Sequence, residues 1–525
     1  MADLARRSFL TGSAAVAATA AIASKAGPAN AATRTAPRIP DVTVRSAAQD
    51  DPTEATLAEA AVLLRSRRLS AVELVRAHLD RIDEFESTYQ AFVTVLADQA
   101  LAAAKAADRN RGRGGPLAGI PLCIKDNYFT EGVRTTANSF IFADFVPPYD
   151  ATSVARLKSA GGIVIGKGQM GPLATTRATT PNGTITTVNA WTPADPSVDP
   201  GGSSTGPACS VAGRLATSSI GTQTGGSIVL PSNQQNLTGL KPTMGRTSIH
   251  GVIPLSFTRD HSGPLARDAL DAAIMLTVMA GPDPQDPRTL GLPALPDLIT
   301  AALPVRQHGR VRLRRPTTIG VPPDFFTGVS ADVAALRHAF LDTLAKISGA
   351  RVVSVAYPDD WSLMTTAFNN VRLAERTEPF RPWMRQDLTL FGVSLLSWLQ
   401  GFLLSGDEWI TGQRAKDHLL SEVRTGIFGQ CDVVLQTGPV PFDILGLPEL
   451  AFPIGFTKSG TETIPAGTIL GGQAYHEDRL LEVAAAYQAV TDWHQRRPAD
   501  PVQAAARAAL TRPRIDAVTA AASSQ

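Results

Sequence analysis

Cysteine is scarce in this 525-residue chain: Cys123, Cys209 and Cys431, an odd number with no C-x-x-C pair. That excludes a disulfide framework and a thiolate metal centre. The eight histidines never fall in an H-E-x-x-H pattern or any close pair with ligand spacing, and His476-Glu477 stands alone. Zinc hydrolysis needs three or four convergent ligands, so no metal or other cofactor is expected. The formal charge is only +2, and the first 31 residues account for it with Arg6, Arg7 and Lys25 against Asp3. A near-neutral remainder implies no nucleic acid and no acidic membrane as partner. No apolar run reaches the roughly 18 residues of a membrane span. No internal repeat is visible.

What is present is a large apolar content, 44% of residues, enough for one big α/β domain or a few smaller ones. The N-terminus reads ARRSFLTGSAAVAATAAIASKAGPANAAT. A basic pair, a short Ala-rich run and a small-residue site at Ala29-Asn30-Ala31 form an export signal over 1–31. The twin arginine with Phe9-Leu10 after it resembles the address of the twin-arginine route, so a secreted or periplasmic protein is expected. Residues 32–52 read as a Thr/Pro/Arg-rich linker, 53–497 as the folded domain and 498–525 as an Ala/Arg-rich tail.

Residues 53–110 read as helices, with a capping box Ser70-Ala71-Val72-Glu73 before ELVRAHLDRI. From 116, short apolar strands such as PLCIK and GGIVIG alternate with helices such as DATSVARLKSA, which argues α/β. A helix is expected from Gly206 toward Ser218, another over 330–346 before the strand ARVVSVAY, and a last one in DRLLEVAAAYQ. The stretch 360–425 is helical and aromatic, with Trp361, Phe368, Trp383, Phe391, Trp398 and Phe402. It reads as core packing ahead of a substrate wall.

Two chemistries compete for the serines. Gly202-Ser203-Ser204-Thr205-Gly206 fits a G-x-S-x-G nucleophile elbow, but that motif needs a strand running into the turn. The preceding TPADPSVDPG has three prolines and cannot be a central strand. The other chemistry uses a lysine. Lys125 ends the apolar run Ile120–Ile124, so its ammonium is carried inward, and burial lowers a lysine pKa toward the range of a useful base. A lysine snorkelling from a strand end is the plain alternative. Two serine-glycine runs, GGSSTG and GTQTGGS, bracket an ordered apolar segment. Gly225-Gly226 before Ser227 lets the backbone aim successive N–H groups at one point, as an oxyanion hole requires.

These pieces in this order, GIPLCIKDN…TTANS, PGGSSTG…GTQTGGSI…GLKPTMGR…GVIPLSFTRDHSGPLARDALDAA, resemble the amidase signature family from about residue 53 to about 495. The resemblance implies a single large α/β domain with a mixed twisted sheet covered by helices. It implies that Lys125 is the catalytic lysine, Ser203 a bridging serine after a cis peptide bond, and Ser227 the nucleophile. Thr224, Gly225, Gly226 and Ser227 would supply oxyanion-hole amides, with Ser204 and Gln223 in support. The reaction implied is hydrolysis of a linear carboxamide through an acyl-serine, on a small-molecule substrate, with a homodimer left open. An esterase or acyl-transferase variant and a non-catalytic member are the alternatives.

Many relatives have Asp at 223, but Gln occurs in one branch, so Gln223 alone raises no alarm. Three departures stand out, the first being that many relatives have an arginine two or three residues after the nucleophile, where Val229 and Leu230 stand here. The lost guanidinium points to an uncharged, apolar substrate. GKGQMGPL replaces a usual GKTNM-x-E-F pattern, and Pro207 and Cys209 interrupt a usual alanine run, so the expectation is an altered pocket.

Overall fold

The computed structural model describes residues 37–110, 114–365 and 371–501. The export signal expected over 1–31, Phe368 and the tail beyond residue 501 lie outside the described residues. The C-terminal half of the expected linker is packed: Ile39 and Ala48 are buried in the core, and Arg45 binds the Glu59 carboxylate.

Local signals built the first helices. Helix α1 (Leu57–Arg65) starts at a Thr56/Glu59 capping box, and α2 (Ala71–Tyr89) at the Ser70/Glu73 box read from the sequence. Each box satisfies two of the amides a helix start leaves unpaired. Helix α2 ends where Gln90 turns left-handed, at φ 47°. A strand, β1 (Phe92–Val95), then interrupts the expected helical region before α3 (Ala97–Arg109). Four residues are too few to impose a period. β1 exists because its backbone pairs antiparallel with β3 (Ile163–Gly168).

The described strands form one twelve-stranded mixed sheet. At one end β2 (Pro121–Lys125) lies between β3 and β4 (Ser218–Gln223), parallel to both. Beyond β4 the order continues through β6 (His261–Ala266), β5 (Thr238–Lys241), β11 (Glu449–Ser459), β12 (Glu462–Gly472) and β10 (Val433–Gln436), all antiparallel. β8 (Arg310–Val321) then pairs parallel with β10 and with β9 (Ser348–Ser354), and antiparallel with β7 (Val305–Gln307). Buried parallel strands need apolar residues on both faces. In β2 and β3, Leu122, Ile124 and Val164 enter one core cluster while Cys123, Ile163 and Ile165 enter the other. The first cluster includes Leu57 of α1, and the second includes Val75 of α2 and Ala100 of α3.

Other expected elements appear: α4 (Thr152–Ser159), α8 (Ala331–Ala345, capped by Ser330) and α11 (Glu477–Gln488). The helix expected from Gly206 toward Ser218 is α5 (Thr205–Ala212), and β4 takes over at Ser218. Helices α6 (Val229–Gln234) and α7 (Ala269–Met279) follow β4 and β6. In the aromatic stretch, which holds α9 (Val371–Thr377) and α10 (Gly406–Glu422), Trp383, Phe391 and Trp398 are core as expected. Trp361 packs half-buried against a further core cluster, stacks on Tyr357 at 4.2 Å, and lines a cavity of about 290 Å³ with Asp324 and Thr437.

Candidate active site

Lys125 occupies the last position of β2 and lies on the same face of the strand as Cys123, the face against which α5 packs. Its side chain is fully buried. Nζ lies 2.8 Å from Ser203 Oγ, 3.0 Å from Ser204 Oγ, 2.9 Å from Thr222 Oγ1 and 3.3 Å from the Thr222 carbonyl. Those are four oxygen neighbours and no carboxylate. Burial therefore holds the Lys125 pKa well below the ordinary 10.5, with a buried Asp260 pulling weakly the other way. Loss of hydration disfavours the charged form, and hydroxyls return only part of it. A snorkelling lysine is ruled out by the burial.

Parallel strands bring their carboxyl ends to one edge, and that edge holds the site. β4 ends beside β2, delivering Thr222 and Gln223 next to Lys125. Asn127 Nδ2 donates to Thr222 Oγ1 at 3.0 Å, which fixes the threonine. The neighbouring Asp126 is spent on structure, with Lys167 at 3.5 Å and Thr136 donating twice to its other oxygen.

The Gly202-Ser203 peptide bond is cis, as the resemblance implied. Ser204 immediately precedes α5 and no strand leads into it. Its hydroxyl donates to the Thr222 carbonyl at 3.3 Å, and among the described residues no histidine bonds to it. The elbow reading thus lacks both its strand and its base. Backbones approach closely here: a Cβ on Gly221 of β4 would stand 2.5 Å from Ser204 Oγ.

The second run follows β4 as a tight loop. The Ser227 carbonyl accepts from Ser204 N–H at 3.3 Å, tying the two runs together. Ser227 itself is partly exposed, and its hydroxyl makes no hydrogen bond among the described residues. Gly226 has φ 108°, and a Cβ there would stand 2.6 Å from Leu230 and 2.8 Å from Pro439, so only glycine fits. Among the described residues the backbone N–H groups of Thr224, Gly225, Gly226 and Ser227 donate to nothing. Consecutive unpaired amides on a glycine loop form a ready anion cradle.

Gln223 props this loop from below. Its Oε1 accepts from Ile228 N and Val229 N at 2.8 and 2.9 Å. Its Nε2 donates to Asp443 and Glu449 at 2.9 and 2.7 Å. Lys241 lies 3.5 Å from both of those carboxylates. An acid at 223 would be a third carboxylate against one lysine, so the amide suits this setting. Asp260 braces the other side of the loop, accepting from Thr224 Oγ1 and from Leu255 N and Ser256 N.

The departures at 168 and 207 prove to be one feature. A Cβ on Gly168 would stand 2.8 Å from Pro207 Cδ and 2.7 Å from Cys123 Sγ. The proline ring fills the space a side chain at 168 would need. Gly168, Pro207 and Cys209 are all buried between β3 and α5, so these changes repack the layer under the serines. Gly168→Ala is expected to cost about 1–3 kcal/mol by overpacking. Adding Pro207→Ala should return at least about 1 kcal/mol of coupling in a double-mutant cycle of denaturant unfolding. Strict additivity would show the two positions to be independent.

Val229 is buried against Ala451 and Ile469, and Leu230 is 37% exposed, so neither carries charge to the loop. The cation comes from elsewhere: Arg372 Nη1 lies 3.7 Å from the place of a Gly225 Cβ. The sequence reading missed Arg372, Thr222, Asp443 and Glu449. Asp260 and Glu449 sit in quoted motifs, SFTRDHSG and LPELAF, but nothing in one sequence marks their partners.

Known proteins carry the same arrangement of chain. A family model described as Amidase matches residues 73–436. A glutamyl-tRNA(Gln) amidotransferase subunit from Methylococcus capsulatus is 35% identical over 498 residues, covering 85% of this chain and 98% of its own. The peptide amidase PAM, solved with the competitive inhibitor chymostatin, superposes with a TM-score of 0.74 at 27% identity, over 85% of this chain and 99% of that one. Native peptide amidase from Stenotrophomonas maltophilia gives 0.72 at 27% identity, over 86% and 98%. The single large domain with its mixed sheet is the fold of those structures, and this chain belongs to the amidase signature family of C–N hydrolases.

Proposed function

We propose that this protein hydrolyses a carboxamide to a carboxylic acid and ammonia or an amine through an acyl-Ser227 intermediate. The observation that carries this reading is the buried Lys125 Nζ, 2.8 Å from Ser203 Oγ and without a carboxylate partner. A neutral amine has two N–H donors and one lone pair. It donates to Thr222 and Ser204 and takes a proton from Ser203. Ser203 in turn takes one from Ser227 as that oxygen attacks the amide carbonyl. The carbonyl oxygen becomes an oxyanion, which the unpaired amides of residues 224–227 receive without reorganising. The relay returns the proton to the departing amine. Water, deprotonated by the same relay, then cleaves the ester and frees Ser227.

The test is labelling with an alkyl fluorophosphonate, read by intact mass. Wild type and Ser204→Ala should gain one adduct and Ser227→Ala none; an adduct lost in Ser204→Ala and kept in Ser227→Ala would revive the elbow. The relatives named amidotransferase favour acyl transfer as a second reading. Hydroxylamine added during turnover decides it: hydroxamate in place of acid at millimolar acceptor supports transfer, and free acid supports hydrolysis. The apolar substrate expected from the sequence rests on residues 229 and 230 alone, and the Arg372 guanidinium near Gly225 weighs against it.

A further inference from the structure

The sheet carries a second block of parallel strands, away from Lys125. β8 runs parallel to both β9 and β10, so the three carboxyl ends point the same way. Open α/β sheets bind ligands where such ends deliver their loops. Asp324 stands three residues beyond β8, Tyr357 three beyond β9, and Thr437 directly after β10. These three side chains meet. The Tyr357 hydroxyl donates to Asp324 Oδ1 at 2.7 Å, and the Thr437 hydroxyl donates to Oδ2 at 2.9 Å. Burial, with Asp324 beside it, pushes the Tyr357 phenol up, so it stays a donor to the carboxylate at any working pH. Trp361 lies flat on Tyr357, 7° from parallel.

The three loops do not close on one another. They leave the cavity of about 290 Å³, which the buried Val434, Leu435 and Phe442 also line. That is the small end of the range for ligand pockets, roughly 300–1,000 Å³, and apolar walls with a few placed polar groups are their usual form. Asp324 is the one charged group in the lining among the described residues. Each of its oxygens accepts one hydrogen bond and has room for another. Among the described residues no cation lies within ion-pair distance of it: Arg337 pulls on Asp324 through space, but donates to the Phe325 carbonyl and lies over the Phe325 ring. A carboxylate attracts an ammonium or guanidinium, and the faces of tryptophan and tyrosine attract the same ions. The apolar lining favours a hydrocarbon body beside that charge.

We infer that this cavity is a binding site for a small organic cation, a protonated amine or a guanidine on an apolar body, held by Asp324, Tyr357 and Trp361. The proposed relay uses none of these residues, so the site stands apart from the amidase reading. It does border the catalytic loop. Gly438 lines the cavity, and the next residue, Pro439, stands 2.8 Å from the place of a Gly226 Cβ. The cation is thus either a distant part of the amide substrate or a separate effector, and kinetics separates the two.

Hexylammonium, 1-hexanol and hexanoate share a chain and differ in charge. Titrated calorimetrically into the whole protein at pH 7, hexylammonium is expected to bind about tenfold tighter than hexanol, with hexanoate weakest. Asp324→Asn should bring hexylammonium down to the affinity of hexanol and leave hexanol unchanged. Trp361→Leu should weaken hexylammonium by about threefold. No preference for the cation in wild type, or a preference that survives in Asp324→Asn, overturns the inference. Should Asp324→Asn not fold, unchanged hexylammonium binding in Trp361→Leu overturns it instead. Hydrolysis of butyramide then separates the sources. Competitive inhibition by hexylammonium that Asp324→Asn relieves makes the cation a part of the substrate. A change in kcat that Asp324→Asn removes makes it an effector. Absence of any amide turnover would overturn the amidase reading and leave the binding result to decide this one.

Discussion

Ser227→Ala is expected to reduce amide turnover by about 10⁴- to 10⁶-fold, with Lys125→Ala and Ser203→Ala close behind. In the proposed mechanism the three residues act as one relay, so the triple variant should be little worse than the worst single one. The residual rate belongs to the amides of residues 224–227, which none of these substitutions removes. Lys125→Arg should be as inactive as Lys125→Ala, because a guanidinium stays protonated at any working pH. The same argument sets the pH profile. As the proposed base Lys125 acts only when neutral, and burial holds its pKa well below 10.5. Activity is therefore present above the folded-state pKa and lost as the pH falls through it, so the acidic limb of kcat/KM lies well below 10.5. Steady-state kinetics from pH 5 to the alkaline limit of stability checks both points. A limb at the ordinary lysine value, or Lys125→Arg retaining a tenth of the activity, would exclude the proposed base.

Gln223→Leu is expected to lose about 3–5 kcal/mol of stability, the largest structural effect among these substitutions. The substitution strips the Ile228 and Val229 amides of their acceptor and removes the donors of Asp443 and Glu449. Two buried carboxylates then keep only Lys241 within ion-pair distance among the described residues. Burial already raises both carboxyl pKa values, Glu449 well above the usual range. A carboxyl raised in the folded state stabilises when protonated and destabilises as the pH climbs through its folded pKa. The variant's deficit should accordingly grow from pH 5 to pH 8 in denaturant unfolding. Its kcat should fall as well, because the amide loop rests on Gln223. Wild-type stability in Gln223→Leu would falsify the role given to this residue.

Much of the fold could be read locally. The Ser70/Glu73 box, the apolar runs of β2 and β3 and the period of 331–345 are decided by neighbours a few positions away. β1 escaped because it is short and its stability lies in pairing with β3, some seventy positions downstream. The candidate trio was legible for a similar reason. Lysine at the end of an apolar strand and serine beside glycine announce burial and close backbone approach, and their order along the chain carries the family resemblance.

What the sequence by itself determined, then, was the fold class, the strand ends that hold Lys125 and Gln223, and the glycine loop before Ser227. Only the tertiary structure decided which groups surround them. Gln223 meets Asp443 and Glu449 across more than two hundred positions, Gly168 is small because Pro207 fills its space, and Arg372 stands where the loop has no arginine. Caps and strand periods arise from the local geometry of one chain segment. Charge compensation and steric fit exist only after distant segments have closed on one another, and a linear pattern holds no record of which ones will meet.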